Sequence, residues 1–238
     1  MTEILEEETL IRVPLFKDRI EAGEVLAACL AAYRDKDALV LGIPRGGVPV
    51  AAEVARALNG KLDIIVARKL GSPVSAELAI GAVTANGGRF LNEETIHELD
   101  VSDDYLTRVT EEQMAEARRR EERFRGSRAP PILTDRVVIL VDDGLATGAT
   151  MRAAVRSVRK AEPARLVVAV PVAPPRTCAD LRQEADEVIC PYQPEPFWAI
   201  GLFYQNFAPT EDSEVESILR QAYDRQLAEV SAAGDQNT

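Results

Sequence analysis

Residues 137–151 read VVILVDDGLATGATM. An apolar run ends in two adjacent carboxylates, and a short stretch of Gly, Ala and Thr follows. The run reads as a buried strand, and ATMRAAVRSVRKA (149–161) as the helix after it. Two like charges therefore sit where a strand ends and a helix begins. In parallel α/β sheets that is where ligands bind. Free backbone N–H groups at a helix start, with small residues permitting close approach, form a phosphate cradle. Thr147 and Thr150 add hydroxyl donors. Asp142 and Asp143 would repel a phosphate, but they suit sugar hydroxyls or a cation that bridges sugar and phosphates. The composite reads as a site for a ribose 5-phosphate. The plainer alternative is a strand–turn–helix with exposed aspartates.

Other phosphate loops fit less well. A P-loop needs GxxxxGK[ST], whereas three residues separate Gly144 from Gly148 and no lysine follows. The dinucleotide fingerprint GxGxxG is absent.

Upstream, DRIEAGEVLAACLAAYR (18–34) has helical spacing with Asp18 as cap. ALVLGI (38–43) reads as a strand, PRGG as a turn, and VPVAAEVARALNG as a helix with Pro49 in its first turn and Gly60 past its end. LDIIVARK (62–69) reads as the next strand. Strand, turn, helix, strand is a βαβ unit, which implies a parallel sheet. Residues 71–92 carry weak strand signals and a hairpin signal at Asn86-Gly87. Residues 102–126 read as a polar surface helix, with the RRR run (118–120) on a solvated face; polyanion binding is the alternative, disfavoured by the interleaved glutamates. The βα pattern then resumes with strands at 136–141 and 165–173, the helix PRTCADLRQEA and the strand DEVICPY. An aromatic segment, PEPFWAIGLFYQNFAP (194–209), precedes a C-terminal helix at about 212–230.

Composition narrows the chemistry. The chain of 238 residues is 46% hydrophobic with a net charge of −11. It can bury a core as a single domain, 1–238. The acidic balance argues against nucleic acid or an anionic membrane as partner. Three scattered cysteines and one histidine, His97, argue against a zinc site, a disulfide framework and a Ser-His or Cys-His nucleophile. MTEILEEETL (1–10) has no apolar signal region, and no run approaches the ~18 residues of a membrane span. The expected location is the cytoplasm.

VVILVDDGLATGAT resembles the phosphoribosyl pyrophosphate (PRPP) motif of type I phosphoribosyltransferases: apolar residues, two acids, two variable positions, a Thr/Gly loop. FKDRIEAG, LGIPRGGVPVA, VARKLG and ELAIGAV resemble, over roughly 16–215, bacterial phosphoribosyltransferase-domain proteins of unassigned substrate. The resemblance implies an α/β fold of this type, a central parallel sheet flanked by helices. A C-terminal hood at about 192–210 and a helical insertion at about 93–127 would complete it. It implies that Asp142 and Asp143 bind ribose, and hold Mg²⁺ indirectly through ribose or water. Ala146, Thr147, Gly148, Ala149 and Thr150 would bind the 5-phosphate.

Pyrophosphate would sit on Arg45, Gly46 and Gly47, in a loop whose Pro44–Arg45 bond is expected to be cis, and on Arg68 and Lys69 at a strand end. The plainer readings are a glycine turn and a solvated basic pair. The loop after Lys69 would be a lid, with Glu77 a polar contact. Asp142, Asp143, Arg45 and Lys69 are the residues expected to serve the chemistry. The implied reaction transfers the 5-phosphoribosyl group from PRPP to a nitrogenous base. Phe197 and Trp198 are candidates to stack on that base; alternatively they plug the hood. Ala146 stands where 6-oxopurine enzymes usually carry an acid, so the loop is closer to that of adenine enzymes; a non-purine enzyme is the alternative. A homodimer is implied by resemblance alone. The alternatives are a PRPP-binding regulator without turnover and a ribose-phosphate hydrolase.

Overall fold

The computed structural model describes residues 14–235, with side-chain environments up to residue 228. The acidic stretch 1–10 lies outside the described residues.

Five strands form a parallel sheet: β1 (Leu39–Gly42), β2 (Lys61–Ile64), β6 (Val137–Val141), β7 (Arg165–Ala169) and β8 (Glu187–Ile189), in the order β2-β1-β6-β7-β8. The strands are short apolar runs because helices cover both faces. Val40, Ile64, Ile139, Val141 and Val167 pack on one side, against helix α2 (Gly47–Leu58) and helix α7 (Asp212–Asp235). Leu39, Leu41, Leu140, Leu166 and Val168 pack on the other, with helix α5 (Ala149–Arg159) and helix α6 (Pro175–Leu181). Each fully buried Leu or Ile contributes roughly 1.5–3 kcal/mol.

A second, antiparallel sheet holds β3 (Ala67–Gly71), β4 (Ala79–Thr84) and β5 (Arg89–Leu91). The run 62–69 is therefore not one strand. It leaves the parallel sheet after Ile64 and joins the second sheet at Ala67, so Arg68 and Lys69 belong to β3. Both pieces are apolar enough to read as a single run, and only pairing separates them. The hairpin at Asn86-Gly87 is present, with Gly87 at φ +74° and the Thr84 Oγ1 accepting from Gly88 N at 3.0 Å.

Helix α1 (Arg19–Cys29) starts at Asp18, whose carboxylate accepts from the N–H groups of Ile20 and Glu21. Helix α2 ends on Asn59 in the left-handed region, one residue before the expected Gly60. Segment 93–127 forms α3 (Glu93–Glu98) and α4 (Asp103–Arg125). Helix α4 is more than a surface helix. Ala117 and Phe124 are buried, and Arg125, only 9% exposed, bonds Asp63, Glu121 and the Ile64 carbonyl. No helix among the described residues is long and apolar enough to cross a membrane.

Candidate active site

Strand order creates the site. From β1 the chain turns through α2 toward β2; from β6 it turns through α5 toward β7, on the opposite side. The loops after β1 and β6 thus diverge, leaving a crevice at the sheet's switch point. Because Gly42 pairs with Val141, residues 43–47 and 142–148 begin side by side. The Ile43 N–H donates to the Val141 carbonyl at 2.9 Å.

The first loop carries the cis Pro44–Arg45 bond. Gly46 and Gly47 lie directly over the acid pair. A Cβ on Gly46 would come within 2.0 Å of the Asp143 Oδ2, and one on Gly47 within 2.8 Å of the Asp142 Cα. Absence of a side chain here serves loop-to-acid contact. Arg45 points toward the start of α7, with its Nη1 3.5 Å from the Asp212 Oδ1.

Asp142 and Asp143 differ in surroundings. The Asp142 carboxylate accepts the N–H of Asp143 at 2.9 Å. Burial, reinforced by the neighbouring carboxylate, pushes its pKa well above the ordinary range. Burial also raises Asp143, opposed by the Arg19 guanidinium, whose Nε donates to the Asp143 Oδ2 at 2.8 Å. Arg19 also donates to the Ala208 carbonyl and lies over the Phe207 ring, 4.1 Å from its centroid. The Tyr204 hydroxyl donates to the Asp143 carbonyl. Asp143 thus ties α1, the β6 loop and the aromatic segment together. The Asp142 carboxylate has no cationic hydrogen-bond partner among the described residues.

The loop after the acids is anchored from behind. Leu145 is buried and its N–H donates to the Val172 carbonyl. The Thr177 hydroxyl of α6 donates to the Ala146 carbonyl at 2.7 Å. Gly148 takes φ +73° and precedes α5, whose N-terminus has no side-chain cap and no acid in its first turn. Ala146 and Thr147 are exposed, whereas Ala149 packs against Ala82 of the second sheet. An uncapped helix start beside a small-residue loop leaves N–H groups of the kind that suit an anion.

A cleft of about 480 Å³ opens between this edge and the second sheet, lined by Pro44, Arg68, Lys69, Glu77, Arg120 and Thr150 among others. It brings together Pro44 of the first loop, Thr150 at the start of α5 and the β3 cations; Arg45, Gly46 and Gly47 are not in its lining. Asp142 and Asp143 do not line it; they lie behind Gly46 and Gly47. Phe197 and Trp198 are split. Phe197 is half-buried against Phe203, with ring centroids 5.1 Å apart, whereas Trp198 is 77% exposed. His97 is exposed in the last turn of α3.

The sequence does not single out Arg19 or Thr177, and it points to Arg120 only as part of an RRR run for which polyanion binding is the disfavoured alternative. Arg19 and Thr177 sit in ordinary helical contexts, and Arg120 lies in a run read as solvated. Arg120 instead donates to Asp212, and Arg118 to the Ala85 carbonyl; of the three, Arg119 keeps only its helical neighbour Glu116 among the described residues.

A family model described as "Phosphoribosyl transferase domain" matches residues 17–205. The chain belongs to the phosphoribosyl transferase domain family. Its fold is that of type I phosphoribosyltransferases. Relatives from two strains of Mycobacterium tuberculosis, each named "Putative phosphoribosyl transferase", are 44% identical over 218 residues. The match covers 92% of this chain and 49% of each relative, so the chain spans about half the length of the curated relatives it matches. The crystal structure of TT1426 from Thermus thermophilus is similar with a TM-score of 0.73 and 43% identity. That match covers 86% of this chain and 97% of the other. The family match takes in the β1 loop, the acid pair and the α5 start.

Proposed function

We propose that this phosphoribosyl transferase domain moves the 5-phosphoribosyl group from PRPP to a nitrogenous base, releasing pyrophosphate with the help of Mg²⁺. The carrying observation is the pairing of two anion-suited loops at one switch point, with the Arg68–Lys69 pair facing them across a cleft.

In this reading the uncapped start of α5, with Ala146 to Thr150, takes the 5-phosphate. Asp142 accepts hydrogen bonds from the ribose hydroxyls, while Asp143, tied to Arg19, holds the loops in register. Arg45, Gly46, Gly47, Arg68 and Lys69 surround the pyrophosphate. The bond between the anomeric carbon and the pyrophosphate oxygen breaks, a ring nitrogen of the base bonds that carbon, and the base loses a proton. Positive charge grows on ribose and negative charge on the leaving group, so fixed cations at the pyrophosphate end lower the barrier.

Among the described residues no three His, Cys, Asp or Glu side chains converge. Arg19 already neutralises Asp143. This donor set fits Mg²⁺ shared with ligand oxygens and water near Asp142, rather than an all-protein cage. Bound there, the ion would neutralise charge on the departing pyrophosphate. The exposed Trp198 supplies a face for a base. A homodimer belongs to the same reading.

The test is calorimetric titration of PRPP with Mg²⁺ into wild type and Asp142→Asn, followed by product assays on a base panel. Micromolar binding lost in the variant, with pyrophosphate released on adding one base, supports the proposal. Pyrophosphate release without any acceptor would favour a hydrolase, and unchanged binding by the variant would remove Asp142 from the site.

A further inference from the structure

Helix α4 is one wall of the cleft. Its Tyr105 hydroxyl donates to the Gly71 carbonyl at 3.0 Å, fixing the end of β3. Its Gln113 Oε1 accepts from the Arg68 Nε at 3.0 Å, aiming that guanidinium. Two turns further on, Arg120 lines the cleft itself. At about 100° per residue the RRR run fans out, and only its third member faces inward.

We propose that Arg120 is a pyrophosphate-binding residue, contributed by the helical insertion. This rests on the function proposed above and adds a residue to it. The Arg120 Nη2 lies 3.2 Å from the Asp212 Oδ1, and the Arg45 Nη1 lies 3.5 Å from the same oxygen. Arg123 holds the other Asp212 oxygen at 2.7 Å. One carboxylate at the start of α7 therefore sets the guanidinium of the β1 loop beside that of the insertion. Arg120 has no other protein hydrogen-bond acceptor among the described residues, so its remaining N–H groups are available to a ligand. Among the described residues the ionisable lining of the cleft comprises three cations, Arg68, Lys69 and Arg120, against the single acid Glu77, apart from Tyr105. A pyrophosphate bridging Arg45, Lys69 and Arg120 would add negative charge beyond that of Asp212, with several acceptor oxygens, which suits the planar guanidinium. Asp212 is then a positioning residue.

The experiment is calorimetric titration of magnesium pyrophosphate, and separately of ribose 5-phosphate, into wild type, Arg120→Gln, Arg120→Lys and Arg119→Gln. Arg120→Gln is expected to weaken pyrophosphate about tenfold or more, as for loss of a charged hydrogen bond. Arg120→Lys should lie between, Arg119→Gln should match wild type, and ribose 5-phosphate affinity should stay constant throughout. Wild-type pyrophosphate affinity in Arg120→Gln would overturn the inference and leave the proposed function standing. Parallel loss of both ligands would assign Arg120 to the fold, also against the inference. If Arg120→Gln does not fold, unchanged pyrophosphate affinity in Arg120→Lys and in Asp212→Asn overturns it. A wild-type protein that binds PRPP, pyrophosphate and ribose 5-phosphate not at all would overturn both readings.

Discussion

Arg19 and Asp143, 124 residues apart, are joined by a 2.8 Å ion pair at the base of the crevice, with side chains only 12% and 11% exposed. Removing one partner of a buried pair leaves the other charge uncompensated, which costs about 3 kcal/mol. Arg19→Met is expected to destabilise by that order in chemical denaturation and to weaken PRPP binding. Adding Asp143→Asn should recover part of the stability, because the orphan charge is gone. Strict additivity of the two changes would show that the pair is not coupled.

Asp142 gives a pH-dependent expectation. Its folded pKa is raised above the ordinary 3.8, first by burial and then by Asp143. A raised carboxyl pKa contributes stability at low pH that is lost as pH rises through the folded value. Asp142→Asn keeps an oxygen for the Asp143 N–H while removing the charge. It should melt higher than wild type at pH 8, with the gap closing as pH falls to the ordinary carboxylate range. A gap that widens toward low pH would contradict the assignment. The same variant should bind PRPP more weakly, a trade of stability for function.

Gly46 tests the contact between the loops. Its φ of −61° and ψ of −31° suit any residue, so alanine carries no backbone penalty there. The added Cβ would meet the Asp143 Oδ2 at 2.0 Å. Gly46→Ala is therefore expected to cost about 1–3 kcal/mol from overpacking. The Asp143→Ala background should remove most of that cost. An equal cost in both backgrounds would point to a different clash.

The aromatic pair separates by burial. Phe197→Ala should cost about 1–2 kcal/mol, less than the 3–5 of a fully buried phenylalanine, because its ring is half-buried against Phe203. Trp198→Ala, at a position 77% exposed, should leave stability within about 0.5 kcal/mol. If Trp198 stacks on the acceptor, its removal weakens base binding about tenfold. Unchanged base affinity would remove it from the site.

The sequence by itself determined the strand–loop–helix units and the residue types of their loops. VVILV followed by two acids and a small-residue loop is local information. Strand, turn and helix propensity are fixed within a few residues, and so is the anion-accepting character of an uncapped helix start. The Asn86-Gly87 hairpin and the Asp18 cap were legible for the same reason. Tertiary structure alone decided what depends on pairing between distant segments. It split 62–69 between two sheets, because both halves are apolar and only their hydrogen-bond partners differ. It gave the two acids different surroundings, since Arg19 arrives from 124 residues away. It turned a charged helix into a wall of the cleft, because a charge pattern says which face is polar but not what that face meets.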